Sequence, residues 1–141
     1  MFEKITIFLL RISLGGLFFY SGITKIMNPD WSAAGYMAGA KTFASFFQLL
    51  SSPAYIGWVN LLNEWGLTIL GAALILGLFV RWAAIGGVII MMLYYFVILQ
   101  FPHAGDHSYI VDEHIIYSLV LLYFIATKKS TAWGIDGLRG R

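Results

Sequence analysis

Four long apolar segments, covering residues 5–27, 55–79, 82–101 and 110–127, dominate this sequence. Each is close to the roughly 20 mostly apolar residues that a helix needs to cross the hydrocarbon core of a bilayer. In the whole chain 60% of the residues are apolar and 11% are charged, whereas about a quarter are charged in ordinary soluble domains. A soluble chain of 141 residues could not bury so much apolar surface. We therefore predict an all-α integral membrane protein, folded as a four-helix bundle in a single domain over residues 1–141.

The long loop after the first segment carries a helical pattern of its own. Asn28, Pro29 and Ser32 are typical of a turn followed by a helix cap. From about residue 33 to residue 50, apolar residues recur at helical spacing with polar residues between them. This pattern predicts an additional amphipathic helix that lies on the outer face of the bundle. Two roles stay open for it: an outer cap of the bundle, or a lid over a site between the spans.

The distribution of lysine and arginine predicts the orientation, because cytoplasmic loops carry an excess of these residues. Only Val80 and Arg81 separate the second and third spans, so these two spans must form a tight antiparallel hairpin. With four spans, both termini lie on the same side of the membrane. That side carries Lys4, Arg81, Lys128, Lys129, Arg139 and Arg141, whereas the opposite side carries only Lys25 and Lys41. We therefore predict that the N-terminus and the C-terminus are cytoplasmic.

Composition excludes or disfavours several kinds of site. The chain has no cysteine, which excludes disulfide exchange, iron–sulfur clusters and thiolate zinc sites. No basic stripe is interleaved with aromatic residues, so nucleic-acid binding is not expected. The histidines His103, His107 and His114 lie near acidic residues but meet no metal-ligand signature. We predict no metal site.

Polar and ionisable side chains inside the spans are costly in lipid and usually face the bundle interior or a cavity. At about 1.5 Å of rise per residue, most of them fall in the outer half of the bundle, and Arg11 falls in the inner half. The outer set comprises Lys25, Asn60, Asn63, Glu64, Tyr94, Tyr95, Glu113, His114 and Tyr117. Glu64 lies near the middle of the membrane, and the spacing allows it to pair with Arg11. Two interpretations stay open: a functional site around Glu64, or an ion pair that only fixes helix register while Lys25 and Glu113 reach the outer head groups.

Glycines within or at the ends of the spans are predicted to be packing positions, because small residues let membrane helices approach closely. They are Gly15, Gly16, Gly22, Gly66, Gly71, Gly77, Gly86 and Gly87. We assign them a structural role.

Several residues recur in an order that is typical of one group of membrane proteins. They are Arg11, Gly15, Phe18, Gly22 and Lys25 in the first span, Glu64, Trp65, Gly66, Gly71, Gly77, Leu78 and Arg81 in and after the second, residues 112–117 at the start of the fourth, and residues 133–136 in the tail. In this set the chain resembles the DoxX and DoxD families of small prokaryotic membrane proteins, and residues 112–117 look closer to DoxD. The resemblance implies a four-helix bundle in the prokaryotic cytoplasmic (inner) membrane. DoxD is similar to a subunit of thiosulfate:quinone oxidoreductase, which couples oxidation of thiosulfate to tetrathionate with quinone reduction, and this implies a partner oxidoreductase subunit.

The lead hypothesis is a redox-associated membrane subunit that binds quinone near the outer face. In this hypothesis Glu64 accepts or relays a proton, while Lys25 and His114 attract an anionic reductant or steady the quinol. The residues predicted to contact the quinone are Arg11, Asn60, Asn63, Tyr94, Tyr95, Glu113 and Tyr117. One alternative is a non-catalytic membrane anchor or scaffold for an oxidoreductase complex, and another is a carrier for a small anion. A homo-oligomer is compatible with all three.

Overall fold

A computed structural model describes residues 1–140, and most of these residues are helical. The helices are α1 (Phe2–Ile26), α2 (Ala33–Met37), α3 (Ala44–Leu50), α4 (Ile56–Leu76), α5 (Val80–Ile98), α6 (Glu113–Ala126) and α7 (Ile135–Arg139). A 3-10 helix covers Lys128–Thr131, and two short antiparallel strands, β1 (Leu99–Gln100) and β2 (His103–Ala104), follow α5.

Three of the helices, α1, α4 and α5, are long and apolar enough to cross a membrane. They confirm the first three predicted spans as helices, with ends that differ by a few residues. The fourth predicted span, 110–127, is only partly helical, because α6 begins after its cap residue Asp112 and has 14 residues. That length is below the roughly 20 residues that a spanning helix needs, so the fourth span stays a prediction.

The predicted single helix over residues 33–50 is instead two short helices, α2 and α3. Gly39 lies in the break, and a glycine inside a helix is about 1 kcal/mol less favourable than an alanine. Phe43 caps α3 with a left-handed φ of 52°, which no helix interior accepts. The Thr42 hydroxyl donates to the Leu99 carbonyl at 2.7 Å and so ties the break to β1.

Glycine lets α1 and α4 pack backbone against backbone, as the sequence predicts. A Cβ at Gly71 would lie 2.3 Å from the Phe19 amide nitrogen, and one at Gly15 would lie 2.9 Å from the Gly71 carbonyl oxygen. A Cβ at Gly22 would lie 2.2 Å from the Thr68 hydroxyl. By contrast, Gly16 has no such neighbour within 4 Å, so it is not a packing position.

A tight turn joins α4 to α5. Gly77 ends α4 with a φ of 66°, a conformation that glycine adopts without strain, and Phe79 follows with a φ of 49°. The turn is therefore as short as predicted, but Val80 and Arg81 already belong to α5.

The C-terminal segment packs against the turn end of the long helices. The buried guanidinium of Arg11 donates from Nη1 to the carbonyls of Ser130 at 2.7 Å and Ala132 at 3.1 Å. The Asp136 amide donates to the Gly77 carbonyl at 3.0 Å. These contacts hold the tail beneath α1 and the α4–α5 turn.

This arrangement overturns the predicted pairing of Arg11 with Glu64. Within residues 1–140, no carboxylate lies within 4.0 Å of the Arg11 guanidinium. Instead, Arg11 Nη1 donates to the tail carbonyls, and the guanidinium lies 5.6 Å from the Phe8 ring centroid, while Nε and Nη2 are buried without a hydrogen-bond partner. Helical spacing put the two residues on facing surfaces, but it could not show that the tail folds back to provide nearer acceptors.

The four apolar helices pack in pairs. α1 lies along α4, α6 lies along α5, and α4 joins the pairs by packing on α5. Fully buried side chains between them include Phe18, Leu74, Leu121 and Phe124. Since α1 and α6 make almost no backbone contact with each other, a gap remains between them.

Candidate functional site

A cavity of about 360 Å³, which we call the site cavity, occupies the gap between α1 and α6. Its walls are Leu17, Phe18, Tyr20 and Ser21 of α1, Leu67 of α4, Met91 and Tyr94 of α5, and Glu113, His114 and Tyr117 of α6. Tyr20 is 73% exposed and Leu17 is 45% exposed, so the cavity opens sideways at the surface of the helices. Its volume is within the range of about 300–1,000 Å³ that is typical of small-molecule sites.

His114 is held in place by the residue that starts its own helix. One oxygen of the Asp112 carboxylate accepts from the backbone amides of His114 and Ile115, which caps α6. The other oxygen lies 2.5 Å from His114 Nδ1. In a neutral imidazole this contact places the proton on Nδ1, so that Nε2 is left as the basic nitrogen.

Lys25 and Asn63 meet at the hydroxyl group of Tyr94. The Lys25 ammonium donates to this hydroxyl at 2.8 Å, and the hydroxyl in turn donates to the Asn63 side-chain oxygen. The Tyr94 ring also lies edge-on to the His114 ring, with 5.7 Å between centroids. Tyr94 therefore connects the α1 cation, the α4 amide and the α6 imidazole.

Two aromatic side chains from the first loop cover this cluster. The Lys25 ammonium lies 4.9 Å from the Trp31 ring centroid and 5.1 Å from that of Tyr94, distances at which a cation and an aromatic face attract each other. Tyr36 packs edge-on against Tyr94 with 5.7 Å between centroids. Tyr36 is 43% exposed, and the partial burial of its hydroxyl raises its pKa to about 12.

Of the predicted site residues, some converge on the site cavity and others do not. Four of them line it: Tyr94, Glu113, His114 and Tyr117. Two more, Lys25 and Asn63, are connected to it by their hydrogen bonds with the Tyr94 hydroxyl. The other four, Arg11, Asn60, Glu64 and Tyr95, do not line it.

Each of these four has another position in the fold. Asn60 accepts from the Ala33 amide at 2.9 Å and so anchors α2. The Tyr95 hydroxyl donates to the Ile110 carbonyl in the loop before α6. Arg11 lies at the tail, and Glu64 lies in α4, where its backbone carbonyl accepts from the Thr68 hydroxyl at 2.7 Å.

Sequence reasoning did not assign Asp112, Trp31, Tyr36 or Ser21 to the site. A signal existed for Asp112, because an aspartate directly before an apolar helical run is typical of a helix cap. No comparable signal existed for Trp31 and Tyr36, whose positions depend on the fold of the first loop.

A second and more apolar cavity of about 480 Å³ lies between α4 and α5 beneath α2 and α3. Asn63 and Tyr94 border it, as does Tyr36, and its other walls are almost entirely aliphatic or aromatic. Of these two cavities, only the site cavity is lined by imidazole and carboxyl groups. Within residues 1–140, no group of three or more His, Cys, Asp or Glu side chains is placed to share a metal ion.

The site cavity thus combines two kinds of surface. Its apolar walls come from Leu17, Phe18, Leu67 and Met91, and its polar end comes from α6 and Tyr94. It can receive a molecule with an apolar part and a polar part, and its histidine can accept or give a proton at Nε2.

Comparison with known proteins identifies the chain at the level of a family. No curated protein and no solved structure matches it. The family model described as DoxX matches residues 6–100, a stretch that contains α1 to α5 except for the first residues of α1. This match covers more than half of the sequence and agrees with the apolar helices of a membrane protein. The chain belongs to the DoxX family.

Proposed function

We propose that this DoxX-family protein is a membrane subunit of a redox system and binds a quinone head group in the site cavity. The observation that carries the proposal is the pair Asp112 and His114 at the polar end of a cavity whose remaining walls are mostly apolar. In this proposal α6 completes a four-helix membrane bundle, with the short helices α2 and α3 over its outer end.

The shape of the cavity favours a ligand that arrives from the bilayer. The opening lies beside the exposed side chains of Leu17 and Tyr20, on a surface that faces lipid if α1 spans the membrane. A quinone with an apolar tail is dissolved in lipid, so its head group can enter sideways while the tail stays outside. A soluble, fully polar ligand would gain nothing from the walls formed by Leu67 and Met91.

The polar end supplies the proton-handling groups that quinone chemistry needs from a protein. A quinone takes up two electrons and two protons when it is reduced. His114 can hold one proton at Nε2, and the Asp112 carboxylate stabilises the resulting imidazolium. Glu113 and Tyr117 border the same space and can orient the head group.

Lys25 supplies positive charge next to this end. Its ammonium group contacts Tyr94, which packs on His114. In this proposal Glu64 does not contact the ligand, because it does not line the cavity. An anionic reductant such as thiosulfate would be attracted to Lys25, in keeping with the resemblance to DoxD.

Electrons must then come directly from the reductant or from a partner oxidoreductase subunit. The 141 residues contain no cysteine that could ligate an iron–sulfur cluster. With both termini in the cytoplasm of a prokaryote, the site cavity would lie in the outer half of the inner membrane.

The test is to measure the quinone that stays bound when the protein is purified in a mild detergent. We expect the wild-type protein to retain quinone, measured per mole of protein by mass spectrometry of extracts. His114→Ala should retain about tenfold less, because a hydrogen bond to a bound polar group contributes about 1.5 kcal/mol. His107→Ala is the matched control, since His107 is an exposed loop residue, and it should behave as wild type.

Two results would contradict the proposal. One is a wild-type protein that carries no quinone, either as purified or after incubation with a quinone of natural tail length. The other is equal retention by wild type and His114→Ala. A protein that carries no quinone but still captures an oxidoreductase subunit would favour the scaffold alternative.

A further inference from the structure

A separate cavity of about 730 Å³ lies at the opposite end of the helices, and we call it the tail cavity. It is bordered by the α4–α5 turn, the first residues of α5, the last residues of α6 and the segment of residues 127–131. The residues that matter for its chemistry are Phe79, Arg81, Trp82, Lys128, Thr131 and Asp136. None of them belongs to the proposed quinone site, so a ligand of the tail cavity is independent of that proposal.

Two cations, Arg81 and Lys128, line the tail cavity. Arg81 and Lys128 are both exposed, and neither forms an ion pair within 4.0 Å in the part of the chain that the structure describes. The neighbouring Lys129 differs, because it pairs with Glu3 at 2.5 Å. Arg81 and Lys128 are therefore available to an anion from outside.

The one carboxylate of the tail cavity is already engaged. Asp136 accepts from the Val80 amide at 3.4 Å. Because Asp136 carries one negative charge against the two positive charges of Arg81 and Lys128, the cavity keeps an excess of positive charge.

The rim of the tail cavity is apolar. Phe79 is 60% exposed and Trp82 is 71% exposed, and both lie where α5 begins. Aromatic side chains, tryptophan and tyrosine above all, are enriched where membrane helices meet the head-group region. Ile125 and Ala126 continue the apolar surface along α6.

We propose that the tail cavity binds the phosphate group of an anionic phospholipid. Arginine can hold two phosphate oxygens at once, Lys128 adds a second cation, and Thr131 adds a hydroxyl donor. The acyl chains would then lie along α5 and α6 past Phe79 and Trp82. A free phosphate ion offers the same oxygens, but it would make no use of the apolar rim.

Such a lipid would connect two parts of the chain. Its phosphate would contact both the first turn of α5 and the segment that joins α6 to the tail. An excess positive charge favours phosphatidylglycerol or cardiolipin over zwitterionic phosphatidylcholine, because basic pockets beside membrane helices bind anionic head groups.

The experiment is native mass spectrometry of the detergent-solubilised full chain after addition of a defined lipid. We expect adducts with phosphatidylglycerol at concentrations where phosphatidylcholine gives few. The variant Arg81→Ala/Lys128→Ala should bind phosphatidylglycerol about 30-fold more weakly, because each basic side chain at an anionic surface strengthens binding about fivefold. The matched control is Lys4→Ala/Arg139→Ala, which removes the same charge from exposed residues outside the cavity.

A third arm separates the two sources of phosphate. Addition of millimolar inorganic phosphate should leave the phosphatidylglycerol adducts in place. The inference is overturned if inorganic phosphate displaces the lipid, if phosphatidylcholine binds equally well, or if the control variant loses as much binding as Arg81→Ala/Lys128→Ala. Circular dichroism of each variant checks that the helices are intact. If the alanine variant fails to fold, Arg81→Lys/Lys128→Arg replaces it; this variant keeps both charges and should keep most of the wild-type binding.

Discussion

Asp112 Oδ2 lies 2.5 Å from His114 Nδ1, while the other carboxylate oxygen of Asp112 caps α6. One side chain therefore starts the helix and also fixes the imidazole that lines the site cavity. Asparagine caps helices about as well as aspartate does, so the two roles can be separated by substitution.

We predict that Asp112→Asn changes the tautomer of His114 but leaves the fold in place. In the wild type the carboxylate accepts from Nδ1, whereas the amide of asparagine can donate to it and so move the proton to Nε2. The measurement is the nitrogen NMR spectrum of protein labelled at histidine, with His103 and His107 as internal references. A His114 signal that is identical in the two proteins would contradict the assignment.

The stability of the cluster around Tyr94 can be tested by removing one oxygen atom. In Tyr94→Phe the Lys25 ammonium and the Asn63 side-chain oxygen both lose their partner. We expect the free energy of unfolding to fall by about 1–3 kcal/mol, the usual cost of unpaired polar groups that are partly buried. The measurement is denaturation in mixed detergent micelles.

Tyr20→Phe is the control for that variant. Tyr20 is also a tyrosine near the site cavity, but it is 73% exposed. Its substitution should change the free energy of unfolding by no more than about 0.5 kcal/mol. Equal effects of the two substitutions would show that the Tyr94 hydroxyl does not hold the cluster together.

Much of the helical layout could be predicted because hydrophobicity is a local property of the sequence. The segments 5–27, 55–79 and 82–101 match α1, α4 and α5 within a few residues. The prediction of one continuous helix over residues 33–50 was wrong, because the helix is broken before Phe43. This break depends on a left-handed residue and on a contact with Leu99. Local periodicity contains no information on either.

The candidate site was harder to predict than the helices. Depth along a span placed Lys25, Tyr94 and His114 in the outer half of the bundle, and the structure brings these three together. Depth does not report which way a side chain points around the helix, and so Glu64 and Tyr95 were grouped with them although they do not line the cavity. Arg11 shows the same limit, because its partners lie in the tail.

The contact between α1 and α4 should tolerate no added methyl group at Gly71. A Cβ there would lie 2.3 Å from the Phe19 amide nitrogen and 2.7 Å from the Gly15 carbonyl oxygen, and both are backbone atoms that cannot rotate away. We expect Gly71→Ala to destabilise the protein by at least about 1–3 kcal/mol, the cost of overpacking. Thermal unfolding followed by circular dichroism measures this change.

Gly16→Ala provides the matched comparison for Gly71→Ala. Gly16 has no neighbour within 4 Å of its added Cβ, and alanine favours helix by about 1 kcal/mol over glycine. The variant should be as stable as the wild type or slightly more stable. Similar losses at the two glycines would contradict close packing of α1 on α4.

Arg11 is expected to hold the C-terminal segment against the long helices. In Arg11→Met the carbonyls of Ser130 and Ala132 lose their donor, so the tail should detach more often. Trypsin should then cleave after Lys128 and Lys129 faster than in the wild type. Lys4→Met is the control, because it removes a charge from the same end without touching the tail. Unchanged cleavage rates in Arg11→Met would contradict the role of Arg11.

The most direct test of the quinone site is photolabelling of the membrane-embedded wild-type protein with a light-activated quinone analogue. We predict that the label attaches to residues 17–21 of α1 and residues 113–117 of α6, the two sides of the site cavity, and that excess natural quinone suppresses it. Labelling concentrated in the apolar cavity between α4 and α5, or labelling that excess quinone does not reduce, would contradict the account.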